Sequence, residues 1–151
     1  MNIQNELRRG EAIPRLMTAL RDDDDGVRQA AAEALRGLGL MAWPDLLLAL
    51  MEPRAAANLH LRRGALRVLL HGPIAAPVVA PLLSELQAFP AAIATMIAAH
   101  RLYHRLLTNR AFAARVTVIH LSERAALPSA PKNQRLVRPL DVDAQGLDEP
   151  G

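Results

Sequence analysis

His100 and His104 stand four residues apart, the spacing at which two imidazoles on one helix face can reach a single metal ion. A working metal site needs more than this pair. No carboxylate lies near them in the chain, and no His-Glu dipeptide occurs anywhere. The two histidines flank Tyr103, so packing and hydrogen bonding are the expected roles, with no metal and no cofactor. The run Asp22 to Asp25 invites a calcium reading, which its spacing rejects. With Gly26 at the sixth position of an EF-hand loop, acids are required where Arg21 and Ala32 stand. A turn and a helix cap account for the aspartates. Ser84, Ser122 and Ser129 lie in no nucleophile elbow, and the glycines form no phosphate-cradling loop. The expectation is a protein that is not an enzyme.

The cationic residues are the remaining chemistry. The chain carries a net charge of +3, and Lys132 is its only lysine. Guanidinium groups suit phosphate recognition. The same arginine excess, together with abundant Ala, Leu, Gly and Pro, also follows from a GC-rich, bacterial-like genome, and that reading is preferred. Arg63 and Arg67, one helical turn apart, are the best candidates for a partner-facing patch, with Arg28 and Arg62 beside them.

The elements that must position these residues are helical. Half of the residues are apolar but only 3% are aromatic, a composition that favours closely packed helices over a sheet. At 151 residues the chain holds one domain. Cysteine is absent, and Met1 to Gly10 lacks the apolar stretch of a secretory signal. Ile74 to Ala99 is apolar, but Pro77, Pro81, Pro90 and Glu85 keep it short of the roughly 20 residues of a membrane span. A soluble cytoplasmic protein is expected.

A short helix is expected over Asn2 to Arg9, and a second over Glu11 to Arg21 with Pro14 in its first turn. Its apolar side is Ile13, Leu16, Met17 and Leu20. Asp25 is expected to cap the next helix, whose stripe reads Val27, Ala31, Ala34, Leu35 and Leu38, and which Gly37 and Gly39 terminate. The pattern then recurs. Trp43, Leu46, Leu47 and Leu50 repeat Ile13, Leu16, Met17 and Leu20 at a shift of 30, and Pro44 repeats Pro14. Leu61, Arg62, Ala65, Val68 and Leu69 repeat Val27, Arg28, Ala31, Ala34 and Leu35 at a shift of 34. The difference falls in the connection Met51 to Leu59, read as a loop insertion with Asn58 as a cap. A third copy places Ala76, Pro77, Val79, Ala80 and Leu83 on the first-helix positions, with Leu82 and Leu86 widening the apolar side. Pro90 opens its second helix, but no arginine matches Arg28 and Arg62. Arg110 to Leu127 is read as one more helix capped by Asn109, although Val116 to Ile119 would also suit a strand. Residues 128–151, with four prolines and mixed charges, read as a disordered tail. Three positive and four negative residues there leave +4 on the body, residues 1–127.

The run Asp24-Asp25-Gly26-Val27-Arg28-Gln29-Ala30-Ala31-Ala32-Glu33-Ala34-Leu35, preceded by Ile13-Pro14-Arg15-Leu16 and Leu20, resembles a HEAT-like repeat of the short type named after phycobilisome lyases. Leu61-Arg62-Arg63-Gly64-Ala65-Leu66-Arg67-Val68-Leu69 is similar and less complete. The resemblance covers about Ala12 to Leu107. It implies an all-α fold, an α-solenoid of about three stacked antiparallel helix pairs with the second helices on the concave face, followed by the C-terminal helix and the tail. It also implies that Arg28 and Arg62 form a ladder with the turn acids of neighbouring repeats, and that a macromolecular partner is bound. Some similar proteins are chromophore lyases and others excise alkylated bases. Trp43 and Asp45 have the residue types of such an excision site, but Trp43 falls on the buried stripe.

The sequence therefore leads to a non-enzymatic HEAT-repeat scaffold that engages a protein partner through its concave face. Nucleic-acid backbone binding and a bilin lyase-like role are the alternatives. Function is expected where the copies differ: Arg63, Arg67, the Met51 to Leu59 insertion and the third copy.

Overall fold

The computed structural model describes residues 3–88 and 92–126, with the side chains of residues 3–7 and 126 outside the description. Among the described residues every regular element is helical: α1 (Ile3–Ala19), α2 (Asp25–Gly37), α3 (Trp43–Leu50), α4 (Pro53–Ala56), α5 (Leu59–Leu70), α6 (Ala76–Gln87), α7 (Ala92–Leu106) and α8 (Arg110–Ala126). A single 3-10 turn, Gly39–Ala42, leads into α3. None of these helices is long and apolar enough to cross a membrane. By their contacts the residues divide into two units, Met1–Thr117 and Val118–Gly151. The helix packing below belongs to the first. Of the second, residues 118–126 are described and form the end of α8. Pro90 and the tail 128–151 lie outside the described residues.

Two local expectations change at the start of the chain. The helices expected on either side of Gly10 are one continuous helix, α1, and Pro14 lies inside it rather than in a first turn. A single glycine costs a helix only about 1 kcal/mol, which Ile13 and Leu20, both fully buried, offset. The cap of α2 is Asp24, one residue earlier than expected. Its Oδ1 accepts from the backbone N–H groups of Gly26 (2.7 Å) and Val27 (3.2 Å). The buried face of the helix is Ala31, Ala32 and Leu35, with Leu38 partly buried, while Val27 and Ala34 are exposed. Gly39, with φ +60°, is the one described residue at positive φ, and it turns the chain toward α3.

The second copy follows its pattern closely. Trp43, Leu46, Leu47 and Leu50 are all buried, as are Leu61, Ala65, Val68 and Leu69. Asn58 caps α5 through a 2.9 Å bond from the Leu61 N–H to its Oδ1. The insertion is not a plain loop. It folds into the single turn α4, whose Ala55 and Ala56 are buried and which packs against α7. At Gly72 the chain passes so close to Trp43 that a Cβ would run into the indole ring. Asn109 caps α8 through bonds from the N–H groups of Ala111 and Phe112, and the β-branched run 116–119 is helical.

The copies are not stacked uniformly. α1 packs on α2 and α3, and α2 packs on α5, so the first two copies lie first helix on first and second on second. A third copy in the same sense would set α6 on α3 and α7 on α5. Instead α7 packs on α3 and α6 packs on α5, the two partners exchanged, with α6 and α7 also packed on each other. The side chains carry the reason. α6 buries Val79, Leu82 and Leu86, while Ala76 and Ala80, which the repeat register would bury, are exposed. The wider apolar set that Leu82 and Leu86 supply wins over the register of the earlier copies.

Candidate interaction surface

Arg28 is the fourth residue of α2, Arg62 the fourth of α5 and Thr95 the fourth described residue of α7. From this position Arg28 Nη1 reaches back to the carbonyl of Asp22 (2.7 Å), and Arg62 Nη1 reaches back to the carbonyl of Ala56 (2.8 Å). Both bonds span six residues, so the two arginines clamp the chain entering their own helix in the same way. Their surroundings differ. Arg28 also bonds the Asp23 carbonyl and the Asp25 carboxylate at the surface. Arg62 is 1% exposed, and donates further to Thr95 Oγ1 (2.7 Å) and to the Glu85 carbonyl (2.6 Å). No acid of a neighbouring copy takes part, unlike the ladder that the sequence suggested. Carbonyl and hydroxyl oxygens replace it, and the clamp of the second copy is bolted to the third. Arg62 therefore presents nothing to a partner.

The buried Arg115 is also engaged, whereas His60 Nδ1 is buried with no hydrogen-bond partner among the described residues. Arg115 grips Asp45 with two bonds, Nε to Oδ1 at 2.8 Å and Nη2 to Oδ2 at 2.9 Å, holding the first half of α8 against α3. This explains Asp45 next to the buried Trp43 without an excision site. In the acidic turn, Asp22 Oδ1 accepts from the Asp24 N–H, Asp24 caps α2, and Asp25 accepts from Arg28 and Gln29. Three of the four carboxylates are thus committed to the turn. His100 and His104 meet at the surface, their Nε2 atoms 3.1 Å apart, one donating to the other. Among the described residues no three His, Cys, Asp or Glu side chains gather as a metal site would require. Tyr103 turns inward and packs edge-to-face on Phe112, their ring centroids 5.4 Å apart.

Among the described residues, faces of α5 and α7 combine exposed arginines with exposed apolar side chains. On α5, Leu59, Arg63, Arg67 and Leu70 form an exposed row, and the two arginines have no hydrogen-bond or ion-pair partner among the described residues. This is where the sequence placed its partner-facing pair. The second face escaped the sequence reading. On α7, Ile93 (73% exposed), Ile97 (48% exposed), Arg101 and Arg105 follow one another at four-residue steps. Ile97, Arg101 and Arg105 border a groove of about 560 Å³ between α6 and α7. Val78, Leu82, Ala98 and Leu102 line it, with Pro81 and Glu85 on the α6 side. The four-residue spacing from Ile93 to Arg105 was a usable signal. It was masked because the third copy was read for its likeness to the other two.

Comparison of the chain with known protein families, with curated proteins and with solved structures yields no match.

Proposed function

We propose that this protein is a non-enzymatic adaptor built from short HEAT-like units, two stacked in the ordinary sense and a third turned over, and that it binds a protein partner. The observation that carries the reading is the use made of its arginines and acids. The buried Arg62 and Arg115, with Asp45 and Thr95, are spent on joining helices, whereas the apolar Ile93 and Ile97 are left in water. A framework that uses its buried arginines to join helices and exposes paired isoleucines suits docking. The unit clamp formed by Arg28 and Arg62 supports the repeat assignment, since repeats reuse the same residue for the same local job.

A second reading has its own observation. Arg63 and Arg67 lie exposed and unpaired among the described residues on a chain of pI near 10.5, which suits a phosphate backbone.

Immobilising the full chain and capturing partners from the native host, read by mass spectrometry, tests both. Stoichiometric, salt-resistant retention of one protein supports the adaptor. Retention of nucleic acid alone, lost with a log-log salt slope of about −0.9 per phosphate contacted, favours the second reading. Turnover of bilin adducts or alkylated DNA by the purified chain sinks the non-enzymatic claim.

A further inference from the structure

The groove between α6 and α7 has a direction. Val78, Leu82, Ala94, Ala98 and Leu102 give it an apolar floor beside Ser84 and Glu85, and its α7 wall changes from Ile97 to Arg101 and Arg105 along the helix. Ile93 extends the apolar end by one more turn. α6 and α7 pack on each other as consecutive helices joined by a short connection, so they run in opposite senses. Val78 and Pro81, early in α6, therefore lie toward the arginine end, and Glu85, late in α6, lies toward the isoleucine end. Arg101 and Arg105 have no hydrogen-bond or ion-pair partner among the described residues, so their guanidinium groups are available.

We infer that this groove receives an amphipathic helical segment of a protein partner, carrying two apolar residues one turn apart followed on the same face by carboxylates. The inference rests on the adaptor reading and names its surface. The apolar pair covers Ile93, Ile97 and the floor, removing both isoleucines from water. The carboxylates meet Arg101 and Arg105, whose planar guanidinium groups can each donate two bonds to one carboxylate. Anchors at four-residue spacing match how a helix lies in a groove between helices.

Other occupants fit less well. A phosphate backbone would engage the arginines and leave both isoleucines in water. In a second copy laid antiparallel, Ile93 and Ile97 would face Arg105 and Arg101, apolar against charged. Laid parallel, arginine would face arginine.

The experiment uses the full chain and two fluorescein-labelled, helix-prone peptides. Both carry leucines at four-residue spacing, followed on the same face by glutamates in one and lysines in the other. Anisotropy titration should show the acidic peptide binding at least about tenfold more tightly than the basic one. Ile97→Asp should weaken the acidic peptide by about tenfold or more. The double variant Arg101→Glu/Arg105→Glu should reverse the preference, and circular dichroism checks that each variant is folded. Because these side chains are exposed, the charge reversal leaves the core intact. Equal binding of the two peptides, no binding of the acidic one, or a preference that survives charge reversal overturns the assignment. So does a single-stranded RNA that displaces the acidic peptide, or self-association in sedimentation that Ile97→Asp abolishes. If the host partner is still captured by the charge-reversed chain, this groove is wrong and the adaptor stands. If neither chain captures any protein, the adaptor reading fails.

Discussion

Arg62, near the start of α5, donates a 2.7 Å hydrogen bond to Thr95, which lies 33 residues on in α7, the second helix of the next copy. The link is a cross-copy contact made where the third copy has no arginine to match Arg28 and Arg62. An arginine at 95 would put a second guanidinium against the first in a dry site. A threonine hydroxyl instead accepts from Arg62, so the departure and the contact explain each other.

Arg62→Ala should lower stability by about 3 kcal/mol, because it strips the Ala56 and Glu85 carbonyls and the Thr95 hydroxyl of their donor in the interior. Arg28→Ala removes the same local clamp at the surface, where water replaces it, and should cost less than about 1 kcal/mol. Urea unfolding of the two variants measures the difference. Equal costs would mean that the inter-copy bonds of Arg62 contribute nothing.

Asp45→Asn should destabilise by about 3 kcal/mol, since it leaves the Arg115 guanidinium buried without its counter-charge. Replacing both members with apolar residues, Asp45→Leu with Arg115→Met, should recover much of that loss. A double-mutant cycle gives the coupling, and a coupling energy near zero would show that the pair does not join α8 to α3. Gly10 enters the same site, because a Cβ there would lie 3.0 Å from Arg115 Nη1.

The chain has one tryptophan, so its emission reports on a close approach that no contact pattern in the sequence reveals. Gly72→Ala drives a methyl group into the Trp43 ring and should cost about 1–3 kcal/mol with a shift in emission. At Gly64 the added Cβ would meet Leu20 Cδ2 at 2.7 Å, a side chain that can adjust its rotamer. Gly64→Ala should therefore cost less and leave the emission unchanged.

Much of the fold was legible from periodicity. The stripe Trp43, Leu46, Leu47 and Leu50 is buried, and Asn58 and Asn109 are caps, because apolar spacing and cap chemistry are local properties. The misreadings are local too, but turn on competition. Asp24 and Asp25 can each begin a helix. The choice fell to Asp24 because Asp25, inside the first turn, can also engage Arg28 and Gln29. Separately, the helix turns a slightly different face to the core than its expected stripe, so that Val27 is exposed and Ala32 buried. Arg62 was legible as a structural arginine but not as a buried one, since its acceptors are 23 and 33 residues away. The exchange of α6 and α7 was out of reach, because sequence likeness between copies carries no information on which face of a pair meets the next. Consequently the groove bordered by Arg101 and Arg105 was missed, while the exposure of Arg63 and Arg67 could be read.

The cap assignment is itself testable. Asp24→Ala should cost about 1 kcal/mol by leaving the Gly26 and Val27 N–H groups without their acceptor. Asp25→Ala removes only exposed contacts to Arg28 and Gln29 and should cost about 0.5 kcal/mol or less. The reverse order in thermal unfolding would restore Asp25 as the cap.

Pro14 is the least favourable residue for its place in α1. It lies well inside a helix that runs from Ile3 to Ala19, where it lacks the N–H that would bond the Gly10 carbonyl and sets its ring against that oxygen. Pro14 is exposed, so no packing depends on its ring, whereas Ile13 beside it is fully buried and holds the helix to the core. Pro14→Ala should restore the bond and stabilise the protein by about 1–3 kcal/mol, the lower end applying if the unfolded chain gains entropy from losing the ring. Amide exchange distinguishes the cause. Protection should rise at residue 14, which now has an N–H, and at its neighbours in the same turn. A gain in melting temperature without local protection would place the effect in the unfolded state. No gain at all would mean that α1 is already bent at Gly10 in a way that relieves the clash.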